Sequence, residues 1–393
     1  MFTSNSNIQT KPNTPTIRPR SIIDRIVDYV PPIENRMGKL RLDFNENTIG
    51  CSTKILEAIR ELNVEDFAVY PNYLPFKQKL SNYLEVSPKN LLLTNGTDEA
   101  IKLVLETYLE AQDDIILPSP TFSMFEVYAS IVGCKITKIL YKKDLSFPFD
   151  QIIASITSDT KLVVLVNPNN PTGTAISEEE ISQILQFTQK RNILVLIDEA
   201  YYQFYGKSAI KFLNEFKNLI ILQTFSKAFG LAGIRLGYII SNPSTIQTLQ
   251  KVLSPYSVNK LAIVAGSAAL SDLEYISAYT REIRKNRLFL ALEIQKLGFS
   301  TFPSQANFIV VNFEEKCEFL CNQLKMGGIL TRNRSKYPLL QNCLRITIGT
   351  KYQCEFLLKE IKFLLDQWDF FTKKGYSIPD NLIKIRNQNG AWR

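Results

Sequence analysis

Between residues 90 and 241, short apolar runs alternate with stretches that have the periodicity of amphipathic helices. The runs are rich in Val, Ile and Leu and contain few polar residues, as is typical of strands that are buried on both faces of a sheet. This alternation predicts an α/β fold with a parallel or mixed sheet between two layers of helices. The runs lie at residues 90–94, 114–118, 135–140, 161–168, 193–198, 218–225 and 235–240.

One helix start is clear from the sequence. Ser177 precedes an amphipathic stretch, and Glu180 follows it by three residues. This is the spacing of a capping box, in which two side chains satisfy each other's backbone N–H groups. We therefore expect a helix to begin directly after Ser177.

Beyond about Pro255 the pattern changes to long helices with fewer apolar runs between them. The pattern predicts helices over roughly 272–297, 315–326 and 351–368, and strands over 307–313 and 343–349. We expect a large domain over residues 46–255. A smaller α+β domain would combine residues 21–45 with 256–369.

The net charge of +8 is concentrated at the two ends of the chain. Residues 1–20 carry +3 and residues 370–393 carry +4, which leaves +1 for everything between them. A nucleic-acid-binding protein normally carries its basic patch on the folded domain. We therefore interpret the two segments as a basic N-terminal tail and a basic C-terminal extension, and expect no nucleic-acid partner.

The lack of a recognisable targeting segment and the low number of cysteines favour a cytoplasmic protein. No run of about 18 uncharged apolar residues is present, and the first twenty residues lack the apolar core of a secretory signal. The six cysteines form no CxxC pair and are too sparse for a disulfide framework. Cys317 and Cys321 are better interpreted as partly buried neighbours than as metal ligands. We expect no membrane partner and no bound metal.

The chain contains no histidine. Ser-His-Asp and Cys-His catalysis are therefore excluded, as is any metal site that needs imidazole. Acid–base chemistry would have to use Lys, Tyr, Asp, Glu, Cys or a cofactor.

Polar residues collect where the predicted strands end, which is where open α/β sheets bind ligands. "VNPNNPTG" (166–173), "DEAY" (198–201) and "FSK" (225–227) each follow an apolar run. Asp198 closes such a run, where a carboxylate is costly without a cationic partner. The alternative is that Asp198 only caps the next helix.

Lys227 has small neighbours that let a ligand approach the backbone closely. A lysine is most often a solvated surface charge, but a partly desolvated lysine forms imines readily. Ser226 and Arg235 offer a hydroxyl and a planar cation suited to a phosphate. "TNGTDEA" (94–100) adds a strand-to-helix turn whose free N–H groups favour an anion.

These motifs, in this order and spacing, resemble those of the fold-type I aminotransferases that depend on pyridoxal 5'-phosphate (PLP). The similarity covers roughly residues 21–365 and implies a mostly parallel, mixed seven-stranded sheet in a large PLP-binding domain. Further motifs are similar to those of histidinol-phosphate aminotransferases: "LDFNEN" (42–47), "YPN" (70–72), "PTFSMF" (120–125) and "GGILTRNRSKYPLLQNCLRITIGT" (327–350).

The resemblance implies a role for each matching residue around the cofactor. Lys227 would bind PLP as an imine and move the proton during transfer. Asp198 would pair with the pyridinium nitrogen. Asn170 and Tyr201 would contact the phenolic oxygen, and Phe122 would stack on the ring. The phosphate would be surrounded by Gly96, Thr97, Asp98, Ser226 and Arg235.

The resemblance also implies a homodimer in which Tyr70 reaches the neighbouring subunit's cofactor phosphate. Arg345 matches the arginine that binds the α-carboxylate of an amino donor, and Arg332 matches one that contacts the phosphate of histidinol phosphate. Tyr29 and Asn45 fall in an N-terminal arm that closes over the substrate, although Tyr29 is equally consistent with simple packing.

Two residues depart from the family pattern. Thr48 replaces a common proline, and Phe125 replaces a common tyrosine, which would remove one hydroxyl from the substrate side. The favoured function is amino transfer between glutamate and the oxo form of histidinol phosphate. The alternatives are an aminotransferase for an aromatic or specialised substrate, a related decarboxylase of a phosphorylated amino acid, and a non-catalytic binding protein.

Overall fold

The computed structural model of the protein describes residues 19–26, 36–377, 379 and 382. Tyr29 and most of the two basic tails lie outside the described residues. The described strands are β1 Leu40–Arg41, β2 Leu91–Thr94, β3 Asp114–Ser119, β4 Lys135–Leu140, β5 Thr160–Val166, β6 Leu194–Asp198, β7 Leu219–Thr224, β8 Gly237–Ser241, β9 Ser300–Phe302, β10 Phe308–Asn312, β11 Ile329–Leu330, β12 Arg332–Asn333 and β13 Cys343–Thr347.

The helices cover both faces of the larger sheet and form much of the C-terminal part. They are α1 Thr53–Arg60, α2 Val64–Ala68, α3 Leu74–Leu84, α4 Gly96–Tyr108, α5 Met124–Val132, α6 Phe149–Ser155, α7 Glu178–Gln189, α8 Tyr202–Tyr205, α9 Pro243–Gln250, α10 Lys260–Leu270, α11 Leu273–Lys296, α12 Cys317–Met326 and α13 Lys351–Lys373. Short 3-10 turns lie at Ile23–Arg25, Pro88–Asn90, Ala209–Phe212, Ala232–Ile234 and Glu314–Lys316.

The seven apolar runs form one seven-stranded sheet in the order β2-β8-β7-β6-β5-β3-β4. β8 runs antiparallel to its neighbours β2 and β7, and the remaining pairs are parallel. This confirms the predicted α/β class and the mostly parallel, mixed sheet.

Both faces of this sheet are buried, which explains why its strands are apolar throughout. In β7, Leu219 and Ile221 belong to one buried cluster, whereas Ile220 and Leu222 belong to another. Successive side chains of a strand point to opposite faces, so a strand covered on both faces has no solvent-facing position to fill with polar residues.

The direction of β8 brings its first residue to the edge where the parallel strands end. Gly237 opens β8 opposite Thr94 of β2 and Thr224 of β7, the last residues of those strands. Arg235, just before β8, therefore lies near Ser226 and Lys227, which follow β7. Because β8 is antiparallel, the residues just before it lie at the same sheet edge as the residues that follow the parallel strands.

The C-terminal part contains a four-stranded antiparallel sheet in the order β12-β13-β10-β9. β1 pairs in parallel with β11, so the segment before residue 46 is joined to this part by backbone hydrogen bonds. The last helix, α13, continues to Lys373, five residues beyond its predicted end. The domain boundaries given above stay a prediction.

Among the described residues, no single helix has the length and apolar character to cross a membrane. α10 and α11 meet these criteria only when taken together, and they are bent by 78° where they meet.

The capping box at the start of α7 is confirmed. Ser177 Oγ accepts a hydrogen bond from the Glu180 N–H at 3.1 Å, and the Ser177 N–H donates to Glu180 Oε2 at 2.9 Å.

We expect Ser177→Ala to lower the free energy of unfolding by about 1 kcal/mol, because the Glu180 N–H loses its fixed acceptor, the Ser177 hydroxyl. The measurement is urea-induced unfolding followed by circular dichroism. Ser158→Ala, at an exposed serine outside the helices, is the control. Equal stability of both variants would contradict the role of the capping box.

Candidate active site

A cavity of about 650 Å³ lies between the edge of the seven-stranded sheet and the C-terminal part. Most of the residues predicted to bind cofactor or substrate line it: Asn45, Thr97, Asp98, Phe122, Asn170, Asp198, Tyr201, Ser226, Lys227, Arg235, Arg332 and Arg345. Gly96 lies directly behind Arg235. Tyr70 does not line the cavity of its own chain, and Tyr29 lies outside the described residues.

The amino group of Lys227 is held inside the cavity. Its Nζ donates a hydrogen bond to the Phe44 carbonyl at 3.0 Å and lies 5.9 Å from the centre of the Tyr201 ring. The residues before and after it, Ser226 and Ala228, are buried. The lysine is therefore directed at the cavity interior.

Tyr201 and Asn45 join three parts of the chain at the cavity. Asn45 Nδ2 donates to the Tyr201 hydroxyl at 2.9 Å, and the Asn45 N–H donates to Thr347 Oγ1 at 3.0 Å. Tyr201 follows β6, and Thr347 ends β13. Asn45 itself has a left-handed backbone, with φ of 57°, which asparagine tolerates better than most residues.

Asp198 ends β6 with its carboxylate buried at the cavity wall. It is 3 % exposed and accepts one hydrogen bond, from the Ala200 N–H at 3.0 Å. Burial raises the pKa of this carboxyl group to about 7. Among the described residues no lysine or arginine forms an ion pair with it. A cationic ligand would relieve this cost.

The first turn of α4 and Arg235 form an anion-binding corner. Arg235 Nη2 lies 3.0 Å from Asp98 Oδ2, and Arg235 has a left-handed backbone with φ of 61°. A Cβ at Gly96 would lie 2.6 Å from Arg235 Nη2. Gly96 also has a left-handed backbone, with φ of 77°, which favours glycine. The guanidinium therefore lies against the start of the helix, where free N–H groups favour a phosphate.

Two arginines form the opposite wall. Arg332 in β12 pairs directly across the strands with Arg345 in β13. Arg345 is 3 % exposed and donates to the Asn170 side-chain oxygen and to the Asp43 carbonyl. The arginine is thereby held in place beside Asn170, which follows β5.

Glu199, the neighbour of Asp198 in "DEAY", faces away from the cavity. Its carboxylate accepts hydrogen bonds from Ser208 Oγ at 2.6 Å, the Ala209 N–H at 2.6 Å and Gln223 Nε2 at 2.7 Å. Burial raises its pKa to about 7 as well, but these three donors are its partners within the fold. We assign Glu199 a structural role.

The sequence reasoning missed several cavity residues, including Glu46, Tyr128, Arg334 and Tyr337. The spacing of Arg332 and Arg334, two residues apart in the motif at 327–350, was a signal that could have identified the second arginine. Phe125 is fully buried in an apolar cluster and does not line the cavity, although its ring contacts that of Phe122, which does. The effect of its missing hydroxyl stays a prediction.

Three observations test whether this cavity fits PLP. An amino group lies inside it at Lys227, a buried carboxylate lacks an ionic partner at Asp198, and a glycine-lined anion corner lies at Gly96 and Arg235. An aldehyde, a pyridinium nitrogen and a phosphate are the groups that match these three features. The residues fit the cofactor, and the fold and site together define a fold-type I PLP enzyme.

Comparison with known proteins gives the family. The family model for aminotransferase class I and II matches residues 38–361. A histidinol-phosphate aminotransferase from Thermoanaerobacter pseudethanolicus is 36% identical over 332 residues, covering 83% of this chain and 93% of the relative. Another from Christiangramia forsetii is 38% identical over 323 residues, covering 81% and 91%.

A solved structure agrees with this relationship. Histidinol-phosphate aminotransferase from Sinorhizobium meliloti, in complex with pyridoxal-5'-phosphate, superimposes with a TM-score of 0.80 at 25% identity, covering 89% of this chain and 98% of the other. The present chain belongs to the aminotransferase class I and II family. It is a PLP-dependent aminotransferase, which takes an amino donor and an amino acceptor.

The close approach of β8 to the anion corner generates one prediction. A Cβ at Gly237 would lie 2.7 Å from the backbone carbon of Gly96 and 2.9 Å from the Thr97 nitrogen. We expect Gly237→Ala to lower the free energy of unfolding by about 1–3 kcal/mol and to weaken PLP binding. Thermal unfolding and titration of the apoprotein with PLP are the measurements. Gly233→Ala is the matched control, because its Cβ would meet nothing within 4 Å; equal PLP affinity in both variants would contradict the prediction.

The buried carboxyl group of Asp198 generates a second prediction. Since burial raises its pKa to about 7 from 3.8, the folded apoprotein binds this proton more tightly than the unfolded chain does. The resulting stability is fully present below about pH 4 and is lost as the pH rises through about 7. Asp198→Asn should therefore lose less stability than the wild-type apoprotein between about pH 5 and pH 8.

Urea midpoints measured across this pH range test the effect of Asp198. Because the charge of Asp198 also contributes to the raised pKa of Glu199, the difference between the two profiles includes this coupling. Parallel pH profiles for the two apoproteins would show that Asp198 does not titrate as expected.

Proposed function

We propose that this aminotransferase transfers an amino group, in either direction, from glutamate to the oxo form of histidinol phosphate, which gives 2-oxoglutarate and histidinol phosphate. The observation that carries the proposal is the cross-strand pair of Arg332 and Arg345 on one wall of the cavity. Like charges directly opposite each other on neighbouring strands are destabilising. A bound anion between them offsets this repulsion, and guanidinium groups suit both carboxylate and phosphate.

The relatives support the choice of substrate. The two curated relatives described above carry the name histidinol-phosphate aminotransferase and align over more than nine-tenths of their own length. Glutamate has a carboxylate at each end, and histidinol phosphate has a phosphate. One arginine-lined wall can therefore accept both substrates in turn.

The remaining cavity residues are proposed to bind and orient. When bound, PLP carries the amino group between the two substrates and delocalises the charge that develops at the reacting carbon. Lys227 would be the attachment point and would move the proton at that carbon. Asp198 would keep a cationic ring nitrogen charged, Asn170 and Tyr201 would donate toward the ring oxygen, and Phe122 would cover the ring. The corner formed by Gly96, Thr97, Asp98, Ser226 and Arg235 would hold the phosphate.

The substrate is tested on the purified holoenzyme by absorbance spectroscopy. Histidinol phosphate should convert the visible band of the bound cofactor to that of its aminated form, and 2-oxoglutarate should restore it. Lys227→Ala is the control and should show no turnover.

Each alternative function has a distinct outcome. If the cofactor band changes with glutamate but not with histidinol phosphate, the protein is an aminotransferase for a different substrate. Release of carbon dioxide without a requirement for 2-oxoglutarate would reveal a decarboxylase.

We also propose a homodimer, built on an apolar surface of α2 and α3. Val64 is 87 % exposed and Tyr70 71 %, and Phe67, Val69 and Leu74 are exposed beside them. Contiguous exposed apolar residues of this kind mark an interaction surface. Tyr70, whose ring stacks on that of Tyr256 at 4.0 Å, would extend from this surface to the partner's phosphate corner.

A reducing, cytoplasmic location is also proposed. It is supported by the six cysteines, all of which are free thiols in the structure.

We expect Phe67→Asp to convert the dimer into a monomer that retains PLP poorly, because a charge is placed in the contact surface. Sedimentation velocity and the cofactor absorbance band are the measurements. Leu292→Asp, at a leucine that is similarly exposed but lies on α11, is the control. A monomeric wild type, or a Phe67→Asp variant that stays dimeric, would rule out this interface.

A further inference from the structure

We propose that Arg334 is a specificity-determining residue, a third guanidinium that favours phosphate-bearing substrates over dicarboxylates. The inference deepens the proposed function and rests on it for the identity of the phosphorylated substrate. The anion wall is defined here as Arg332, Arg334 and Arg345.

The strand geometry places Arg334 on this wall. Arg332 lies opposite Arg345 and Asn333 opposite Leu344, and the Arg334 N–H donates to the Cys343 carbonyl at 2.8 Å, which extends the pairing by one residue. Residues two apart along an extended chain share a face. All three arginines line the same cavity, and Arg334 is only 8 % exposed.

Tyr337 fixes the orientation of Arg334. The Arg334 Nη1 donates to the Tyr337 hydroxyl at 3.3 Å, and the guanidinium carbon lies 5.0 Å from the centre of the same ring. Tyr337 also lines the cavity. The guanidinium is thus held at the cavity wall by a neighbouring side chain and presents a restricted set of N–H directions.

The charge balance of the cavity favours a ligand with more than one negative charge. Its lining side chains carry five cations and three carboxylates. Of these carboxylates, Asp98 pairs with Arg235, and Glu46 pairs with Arg36 and Arg41. Asp198 lies at the end of β6, on the sheet side of the cavity. Among the described residues that line the cavity, cations therefore outnumber carboxylates, as suits a ligand with more than one negative charge.

Phosphate and carboxylate differ in how many guanidinium groups they can use. A carboxylate carries one negative charge and two oxygens, which a single arginine fork can satisfy. A phosphate monoester carries between one and a half and two charges at about pH 7 and has three terminal oxygens. A third arginine therefore adds more to phosphate binding than to carboxylate binding.

The test compares two half-reactions in holoenzyme carrying Arg334→Gln or Arg334→Lys. Single-turnover spectroscopy gives kcat/KM for histidinol phosphate and for glutamate. We expect Arg334→Gln to lower the value for histidinol phosphate by about 10- to 100-fold, the effect of losing a charge-assisted hydrogen bond or two, and the value for glutamate by less than about 3-fold. The value of kcat/KM for histidinol phosphate in Arg334→Lys should lie between those of Arg334→Gln and wild type, because lysine keeps the positive charge but not the two-pronged guanidinium geometry.

The control is Arg281→Gln, which removes the same charge from an exposed position on α11. It should leave both half-reactions unchanged. Losses of equal size for both substrates in Arg334→Gln, or no loss for either, would overturn the inference. The cofactor absorbance band and the thermal midpoint identify a variant that has failed to fold, and in that case Arg334→Lys decides the outcome.

Inorganic phosphate separates this inference from the proposed function. It should inhibit the glutamate half-reaction of wild-type holoenzyme, and Arg334→Gln should raise its inhibition constant at least about tenfold. If wild-type holoenzyme does not react with histidinol phosphate but Arg334→Gln still weakens inhibition by phosphate, the proposed substrate is wrong and the role of Arg334 in phosphate binding is supported. If Arg334→Gln leaves phosphate inhibition unchanged, the role of Arg334 is overturned whatever the substrate.

Discussion

The cavity depends on how residues 43–47 are held between the two sheets. Lys227 donates to the Phe44 carbonyl from the side of the large sheet, and Arg345 donates to the Asp43 carbonyl from the side of the small one. Asn307 Nδ2 donates to the Asn45 carbonyl at 3.0 Å, and Asn47 Nδ2 donates to the Ala228 carbonyl at 3.1 Å. The segment thus fixes the distance between the amino group of Lys227 and the anion wall.

This arrangement also moderates the repulsion among the cations. Backbone carbonyls of the segment accept from two of them, while Arg36 pairs with Asp43 at 2.7 Å and with Glu46 at 2.9 Å on its outer side. The acidic side chains of Asp43 and Glu46 thereby pair with Arg36, and Glu46 also lines the cavity. A site for anionic substrates needs its cations close together, and here neutral backbone carbonyl groups help to position Lys227 and Arg345.

Most of the large sheet and of the anion corner could be predicted from the sequence, because each depends on short segments of the chain. Buried strands are continuous apolar runs, and the polar residues that follow them meet at one edge. The anion wall is different, because Arg332 and Arg345 come together through β12 and β13, strands whose pairing depends on the whole C-terminal part. Arg334 and Tyr337 lie within the motif at 327–350, but the resemblance assigned them no role, and the paired strands show that they reach the cavity.

The sequence pointed to a ligand-binding role for Asp198, but the structural role of its neighbour Glu199 is visible only in the structure. Burial raises the pKa of both groups to about 7, so desolvation alone does not distinguish them. The difference lies in their partners: Glu199 accepts from three donors of the fold, whereas Asp198 accepts from one. A buried charge that the fold satisfies is structural, and one that the fold leaves short of partners requires a ligand. Since alternate residues of an extended chain face opposite sides, the adjacent carboxylates of "DEAY" serve these two purposes without competing for the same partners.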